Sequence, residues 1–138
     1  MNYLQVLLVF AIIAILAAVA SPFYLQFQSR QQLQAAAQTL LSDVRVTQAK
    51  AMERYQNTSW GIRLEDSNKQ YVVFSDANNF TIPYANSITI SSPDQDVQFS
   101  AVTGEPSNGS TTITISSSWL PDEPYTITIN EAGNTELN

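Results

Sequence analysis

The hydrophobic and polar positions divide the chain into an apolar first segment, an amphipathic second segment and an alternating third segment. The first charged side chain is Arg30, and residues 6–20 form an uninterrupted apolar run. Residues 3–20 contain one polar interruption, Gln5, and as a helix they would span about 27 Å, close to the thickness of a bilayer hydrocarbon core. The pattern therefore predicts a single helical membrane span.

A secretory signal peptide is the alternative interpretation of this apolar run. It fits poorly, because no cationic segment comes before the run and the helical pattern continues beyond any cleavage site. The positive-inside rule asks for Lys or Arg before a span of this orientation, and the printed sequence has none there. We therefore expect that a basic leader preceding Met1 is removed by processing.

The second segment predicts a continuation of the same helix. Pro22 removes one backbone hydrogen bond and crowds the preceding turn, so we expect a kink or a locally unwound turn just before it. No glycine or further proline occurs in residues 23–52, and the helix should end near residues 57–59. Such a helix has about fifty residues and is roughly 75–80 Å long if straight. Its apolar stripe recurs at alternating four- and three-residue steps and consists of Leu33, Ala37, Leu40, Val44, Thr47 and Ala51.

The third segment is typical of antiparallel β-structure, because short runs rich in β-branched and aromatic residues alternate with polar residues. The Asn108-Gly109 pair is the sharpest hairpin signal in it. We predict an α+β fold in which the apolar face of an antiparallel β-sheet packs on the helical stripe. The organisation is then an apolar arm (1–22), an amphipathic helical half (23–55) and a globular β domain (56–138). The predicted strands are residues 60–64, 70–75, 87–91, 97–102, 111–117 and 125–130.

Composition and charge exclude several functions. The net charge is −6, and after Tyr55 only Arg63 and Lys69 are basic against ten acidic residues. This part of the chain should repel nucleic acid and anionic headgroups, so we predict no direct nucleic-acid binding. There is no cysteine and no histidine, hence no disulfide framework, no thiolate metal site and no imidazole base. We predict a protein that is not an enzyme and that needs no metal or other cofactor.

Two groups of residues invite a functional interpretation. Asp94, Asp96, Asp122 and Glu123 offer carboxylates for a calcium loop, but the ligand spacing and the central glycine of such a loop are missing, which favours solvated turn charges. Trp60 and Trp119 could be adhesion contacts, although packing in the core or between subunits is the usual role of tryptophan.

The N-terminal segment LQVLLVFAIIAILAAVASP, residues 4–22, resembles the processed N-terminus of the type IV pilin superfamily, including the register of Pro22. Later segments, residues 40–49, 70–74, 97–100 and 125–130, are similar to GspH/FimT-type pilins and pseudopilins. The family usually has glutamate at the fifth position, where it neutralises the terminal amine during assembly, and this chain has Gln5. That departure leaves open whether the subunit is a major one or a minor one at the filament tip.

The resemblance implies the pilin fold and a structural subunit of a helical homo-oligomeric filament. The arm would be a single cytoplasmic-membrane span before assembly and the filament core at the cell surface afterwards. Implied partners are a prepilin peptidase and an inner-membrane assembly machinery with an ATPase, and Met1 would be processed and methylated. The filament would serve adhesion, twitching motility or DNA uptake. A type II secretion pseudopilin or minor tip pilin is the first alternative, and a membrane-tethered binding domain that never polymerises is the second.

The residues expected to form the assembly core are Met1, Gln5, Leu7, Leu8, Phe10, Ile12, Ile13, Ile15, Leu16 and Val19. Pro22 is expected at the kink, and Leu33, Leu40 and Val44 in the packing of helix on sheet.

Overall fold

The computed structural model describes residues 2–138 and, within them, all side chains except those of residues 20, 21 and 56. In this range the chain is α+β, as the sequence predicts, with one long helix, α1 (Tyr3–Met52), followed by eight strands. Single turns of 3-10 helix lie at Tyr55–Asn57 and Asp66–Asn68. The strands are β1 (Trp60–Glu65), β2 (Gln70–Ser75), β3 (Asn79–Pro83), β4 (Ile88–Ser91), β5 (Asp96–Phe99), β6 (Thr111–Ser117), β7 (Leu120–Ile129) and β8 (Thr135–Leu137).

Helix α1 has 50 residues and includes Pro22 without interruption. The sequence predicts a kink or a locally unwound turn just before Pro22. The helix is not unwound there, and the kink remains a prediction. Proline fixes φ near a helical value, so its cost is confined to one missing hydrogen bond and to crowding of the preceding turn. The helix ends at Met52, earlier than expected, because Arg54 adopts a left-handed backbone conformation with φ 50°.

The strands form two four-stranded antiparallel sheets, of order β3-β2-β1-β5 and β4-β6-β7-β8. Two strands, β3 and β8, lie outside the predicted set. Both are short edge strands whose residues are mostly exposed or half-buried, so they lack the apolar alternation by which a strand is recognised. The prediction of a hairpin at Asn108-Gly109 is wrong. This turn lies on the connection between β5 and β6, which belong to different sheets.

The core lies between α1 and the inner faces of both sheets. The predicted stripe from Leu33 to Ala51 faces this core, and each of its residues is at most 1% exposed. Leu33, Leu40 and Val44, the residues expected in helix–sheet packing, are among them. Burial of each such large apolar side chain contributes about 1.5–3 kcal/mol, which holds the second half of the helix on the sheets. The deepest strand residues are Ile113, Ile115, Ile127 and Ile129.

Polar side chains of α1 fix the helix against the loops of the β domain. The amide Nε2 of Gln48 donates hydrogen bonds to the carbonyl oxygens of Gly104, at 2.8 Å, and Gly133, at 2.7 Å. Gly104 lies between β5 and β6, and Gly133 lies between β7 and β8. One helical side chain therefore ties down a loop from each of the two sheets.

Asp66, in the turn between β1 and β2, joins the two sheets through hydrogen bonds to its side chain. Its Oδ1 accepts hydrogen bonds from the hydroxyl of Tyr84 at 2.7 Å, the ammonium of Lys69 at 3.1 Å and the backbone N–H of Ile90 at 3.1 Å. Burial alone would raise the pKa of Asp66, but these donors together hold it below its usual value.

Candidate functional site: the exposed apolar helix

The first half of α1 projects from the β domain with its apolar side chains uncovered. From Tyr3 to Gln28 every side chain that the structure describes is exposed, whereas Leu33, further along the same helix, is fully buried. Gln5 is exposed, and Met1 lies outside the described residues. The other residues expected in the assembly core are between 49% and 70% exposed: Leu7, Leu8, Phe10, Ile12, Ile13, Ile15, Leu16 and Val19.

This surface is long and apolar enough for a non-aqueous environment. A window of 18 residues in α1 is long and apolar enough to cross a bilayer, and none of it is buried in the fold. Soluble monomers rarely expose contiguous apolar patches of more than a few hundred Å². By length and composition, the arm is therefore suited to lipid or to the centre of an assembly.

Small residues are distributed along the arm among the large ones. Ala11, Ala14, Ala17 and Ala18 are all exposed. In hydrocarbon, helices associate through close van der Waals packing, for which small side chains allow the backbones to approach. The arm therefore has the composition of a helix that packs against other helices.

The N-terminal turn of α1 carries no acidic side chain within the described residues. Gln5 Oε1 instead accepts a hydrogen bond from the backbone N–H of Asn2 at 3.4 Å. A carboxylate at this point would compensate the positive end of the helix dipole, and a neutral amide compensates it less. At this turn Gln5 can therefore accept a hydrogen bond, but it carries no negative charge that would balance a positive one.

An ion pair marks the point where the arm leaves the β domain. Arg30 Nη2 lies 2.7 Å from Glu123 Oε1 at the start of β7. Both side chains are more than half exposed, so the pair contributes little to the free energy of unfolding. It orients the hairpin of β6 and β7 beside the helix.

The acidic residues considered as calcium ligands are separated by the fold. Asp96, on β5, forms a bidentate pair with Arg63 at 2.8 and 3.1 Å, while Glu123 lies on β7 of the other sheet. Within residues 2–138 no group of three or more potential metal-ligating side chains occurs. The carboxylates act in ion pairs and turns.

The two tryptophans have different environments. Trp60 is 1% exposed, and its indole N–H donates to the carbonyl oxygen of Tyr55 at 3.1 Å, so it belongs to the core. Trp119 is 70% exposed and lies beside α1 near Leu25. The sequence contains no signal that separates the two, because burial depends on where the fold places β1 and the turn between β6 and β7.

Comparison with known proteins defines the fold. No protein-family model and no curated protein sequence matches the chain. Among solved structures it is similar to the minor pseudopilin EpsH from the Type 2 Secretion System of Vibrio cholerae. Their sequences are 14% identical, the match covers 78% of this chain and 96% of that chain, and the TM-score is 0.62.

It is also similar to the type IV minor pilin FimU of Pseudomonas aeruginosa in two crystal forms. The identities are 18% and 19%, with 76% and 81% of this chain and 91% and 92% of the FimU chain covered. The TM-scores are 0.63 and 0.65. The chain therefore has the pilin-like fold, in the form seen in minor pilins and pseudopilins. The resemblance inferred from the N-terminal segment is confirmed at the level of fold.

Proposed function

We propose that this chain is a structural subunit of a type IV pilus-like filament and that it polymerises through its apolar N-terminal helix. The observation that carries the proposal is the division of one continuous helix into a buried half and an exposed apolar half. The chain's own β domain does not cover the apolar side chains of the first half. A partner for it has to come from lipid or from other helices.

The physical basis is an exchange between two apolar environments. Releasing the arm into water would cost on the order of tens of kcal/mol, at about 1.5–3 kcal/mol for each large side chain. Moving it from lipid into a bundle of like helices changes this term little, because both surroundings are hydrocarbon. Assembly and disassembly can then be driven in either direction by an ATPase of the inner-membrane machinery.

The proposal assigns the chain a path through the cell envelope. Before assembly the arm would be a single span of the cytoplasmic membrane, processed at Met1 by a prepilin peptidase and then methylated. After assembly, the arms would form the core of a helical homo-oligomer at the cell surface, with the acidic β domains outside. Adhesion, twitching motility or DNA uptake would be functions of the whole filament.

Absence of cysteine from the chain makes a direct test possible, because an introduced thiol is unique. Sheared surface filaments should contain the chain, and oxidation of Ala14→Cys should give disulfide-linked dimers in them, since each chain then carries one thiol. Glu131→Cys, on an exposed loop of the β domain, is the matched control and should give fewer dimers. A chain that stays monomeric in the membrane while the machinery assembles filaments would instead be a tethered binding domain.

A minor or tip subunit, or a secretion pseudopilin, is the second candidate, and Gln5 favours it. In an apolar core a glutamine can accept a hydrogen bond from an amine but cannot neutralise its charge. The matched structures, EpsH and FimU, are a minor pseudopilin and a minor pilin, which supports the same assignment. A minor role predicts trace amounts in filaments, and Gln5→Glu should raise that amount while Gln5→Leu lowers it. Equal incorporation of all three forms would contradict a role for residue 5.

A further inference from the structure

The outer edge of strand β3 carries backbone groups that no described residue takes up. Strand β3 pairs with β2 alone, and the N–H of Tyr84 continues this ladder by donating to the carbonyl oxygen of Lys69 at 2.9 Å. Bonded and non-bonded pairs alternate in an antiparallel ladder, so Phe80 and Ile82 are the residues that bond to β2. The backbone groups of the other residues point away from the sheet, and within residues 2–138 they have no hydrogen-bond partner. These residues are Asn79, Thr81 and Pro83.

The free edge of β4, in contrast, is closed by two charged side chains. The N–H of Ile90 donates to Asp66 Oδ1 at 3.1 Å, and the carbonyl oxygen of Ile88 accepts from Lys69 Nζ at 3.1 Å. The carboxylate of Asp66 and the ammonium of Lys69 also form an ion pair at 3.1 Å. A strand added to β4 would have to displace this pair.

The free edges of β5 and β8 are engaged as well. The carbonyl oxygen of Gln98, on β5, accepts a hydrogen bond from the N–H of Ser107 at 2.8 Å. The carbonyl oxygen of Thr135, on β8, accepts one from Arg45 Nη2 at 3.3 Å. Edge strands with unpaired backbone groups are templates for pairing with another chain, and proteins usually block them. Of the four sheet edges in the described chain, β3 is the one left open to a further strand.

An apolar groove lies between α1 and this open edge. Phe80 is 51% exposed, and the centre of its ring lies 5.8 Å from Lys50 Nζ. Val46, one turn earlier on α1, is 48% exposed. Nearer the arm, a cavity of about 310 Å³ opens between α1 and the end of β3. Its lining includes Ala36 and Thr39 of α1 together with Ile82, Pro83 and Tyr84.

We propose that the outer edge of β3 is a strand-addition site for an extended segment of another protein. Main-chain hydrogen bonds to Asn79 and Thr81 hold this segment, and every second side chain of it faces α1. The segment therefore has the chemistry of a β-strand, with an apolar residue at alternate positions and one such side chain in the cavity. Lipid cannot take its place, because hydrocarbon offers no partner to free N–H and C=O groups. The site belongs to the β domain and does not depend on polymerisation through the arm.

A second copy of this chain does not fit the same edge. Every strand pair within the described sheets is antiparallel, and two β3 strands paired in this way are related by a two-fold axis perpendicular to the sheet. Such an axis reverses every direction in the plane of the sheet. Because α1 packs along the inner faces of the sheets, the two arms would point in opposite directions and could not enter one membrane.

The probe is a synthetic peptide of about nine residues, a usual strand length, in which threonine alternates with apolar residues. The central residue is leucine and the other apolar ones are valine. A fluorophore on the peptide reports its binding to the full chain in detergent micelles, with empty micelles as the blank. N-methylation of the amides along one edge of the peptide should abolish binding, and N-methylation along the other edge should not. Hydrogen exchange at the amides of Asn79 and Thr81 should slow about tenfold or more with saturating peptide.

Thr81→Pro and Thr81→Ala are the matched variants of the protein. Proline removes the outward N–H and is tolerated in edge strands, whereas alanine keeps the N–H and removes only the side chain. Thr81→Pro should weaken binding of the peptide about tenfold or more, and Thr81→Ala should change it less than twofold. The methylated peptides test the wild type, so their result does not depend on the folding of Thr81→Pro.

Three results would overturn the inference: no binding of the peptide to the wild type, equal binding by the two variants, or equal binding of both methylated peptides. A fourth result would also overturn it. If the wild type forms dimers in micelles and the amides of Asn79 and Thr81 are protected before peptide is added, a second copy covers the edge.

Discussion

The phenolic hydroxyl of Tyr71, on β2, donates a hydrogen bond to a carboxylate oxygen of Asp43, on α1. Burial of Tyr71 and the adjacent carboxylate raise the pKa of this phenol well above its usual value. The bond joins the helix to the first sheet next to Val44, in the middle of the buried stripe. Asp43 lies outside the apolar stripe of the helix, and its half-buried carboxylate lies at the edge of the helix–sheet interface.

Tyr71→Phe should destabilise the fold by about 1.5–3 kcal/mol, the usual range for a hydrogen bond to a charged group, because it leaves a half-buried carboxylate without its donor. The measurement is the free energy of unfolding of the full chain in detergent micelles. Tyr55→Phe removes an exposed hydroxyl and should change the free energy little. Equal effects of the two substitutions would contradict a stabilising role of this bond, and a double-mutant cycle with Asp43→Asn measures the coupling.

Gly133→Ala should be more damaging than Gly109→Ala. Both glycines have a left-handed backbone, with φ of 80° and 79°, so the backbone strain of an added Cβ is the same. A Cβ on residue 133 would lie 2.6 Å from Gln48 Nε2 and 2.7 Å from the carbonyl oxygen of Gly104, whereas residue 109 faces open space. Only the first substitution displaces the side chain that ties both loops to the helix.

Gly109→Ala should therefore lower the free energy of unfolding by the backbone strain alone, on the order of 1–2 kcal/mol. Gly133→Ala should lower it by at least 1 kcal/mol more. Hydrogen exchange of backbone amides next to residues 104 and 133 should become faster in the second variant only. Identical unfolding curves for the two variants would show that the Gln48 hydrogen bonds do not hold the loops.

Asp66→Asn should make the free energy of unfolding depend less on pH in the acid range. Since the folded-state pKa of Asp66 lies below the unfolded one, its stabilising effect is complete above about pH 4 and disappears as the pH falls through the folded pKa. The variant should have a lower free energy of unfolding than the wild type at pH 7, and this difference should become smaller toward pH 2. Urea unfolding at several pH values across this range measures the difference. Glu131→Gln, an exposed control, should leave the profile unchanged, and a constant gap for Asp66→Asn would contradict the linkage.

Leucine truncations in the two halves of α1 should separate folding from assembly. Leu40 is fully buried, so Leu40→Ala should reduce the free energy of unfolding by about 2–5 kcal/mol. Leu16 is 64% exposed on the arm, so Leu16→Ala should leave unfolding in micelles unchanged. Leu16→Ala should instead lower the fraction of the chain recovered in filaments. A loss of folding stability in Leu16→Ala equal to that in Leu40→Ala would contradict the independence of the two halves.

Much of the fold could be predicted because its signals are local. The stripe from Leu33 to Ala51 follows the helical period, and the paired isoleucines of β6 and β7 alternate as half-buried strands require. Strands β3 and β8 have no such pattern, because neither has a fully buried residue, whereas the edge strands β4 and β5 alternate buried with less buried positions. The Asn108-Gly109 pair predicts a hairpin that the fold does not form there, since turn chemistry specifies a reversal of the chain but not which strands it joins.

The candidate site divides in the same way. The order of residues alone determined the apolar arm, its length and the lack of cysteine and histidine, because these depend only on which side chains follow one another. Tertiary structure decided that Asp43, Gln48 and Asp66 hold the domain together. It also decided that Trp119 is exposed beside α1 near Leu25 while Trp60 lies in the core. Those roles arise from contacts between residues that are distant in the chain. The geometry of such contacts is set by the way the sheets pair, and no local sequence pattern specifies it.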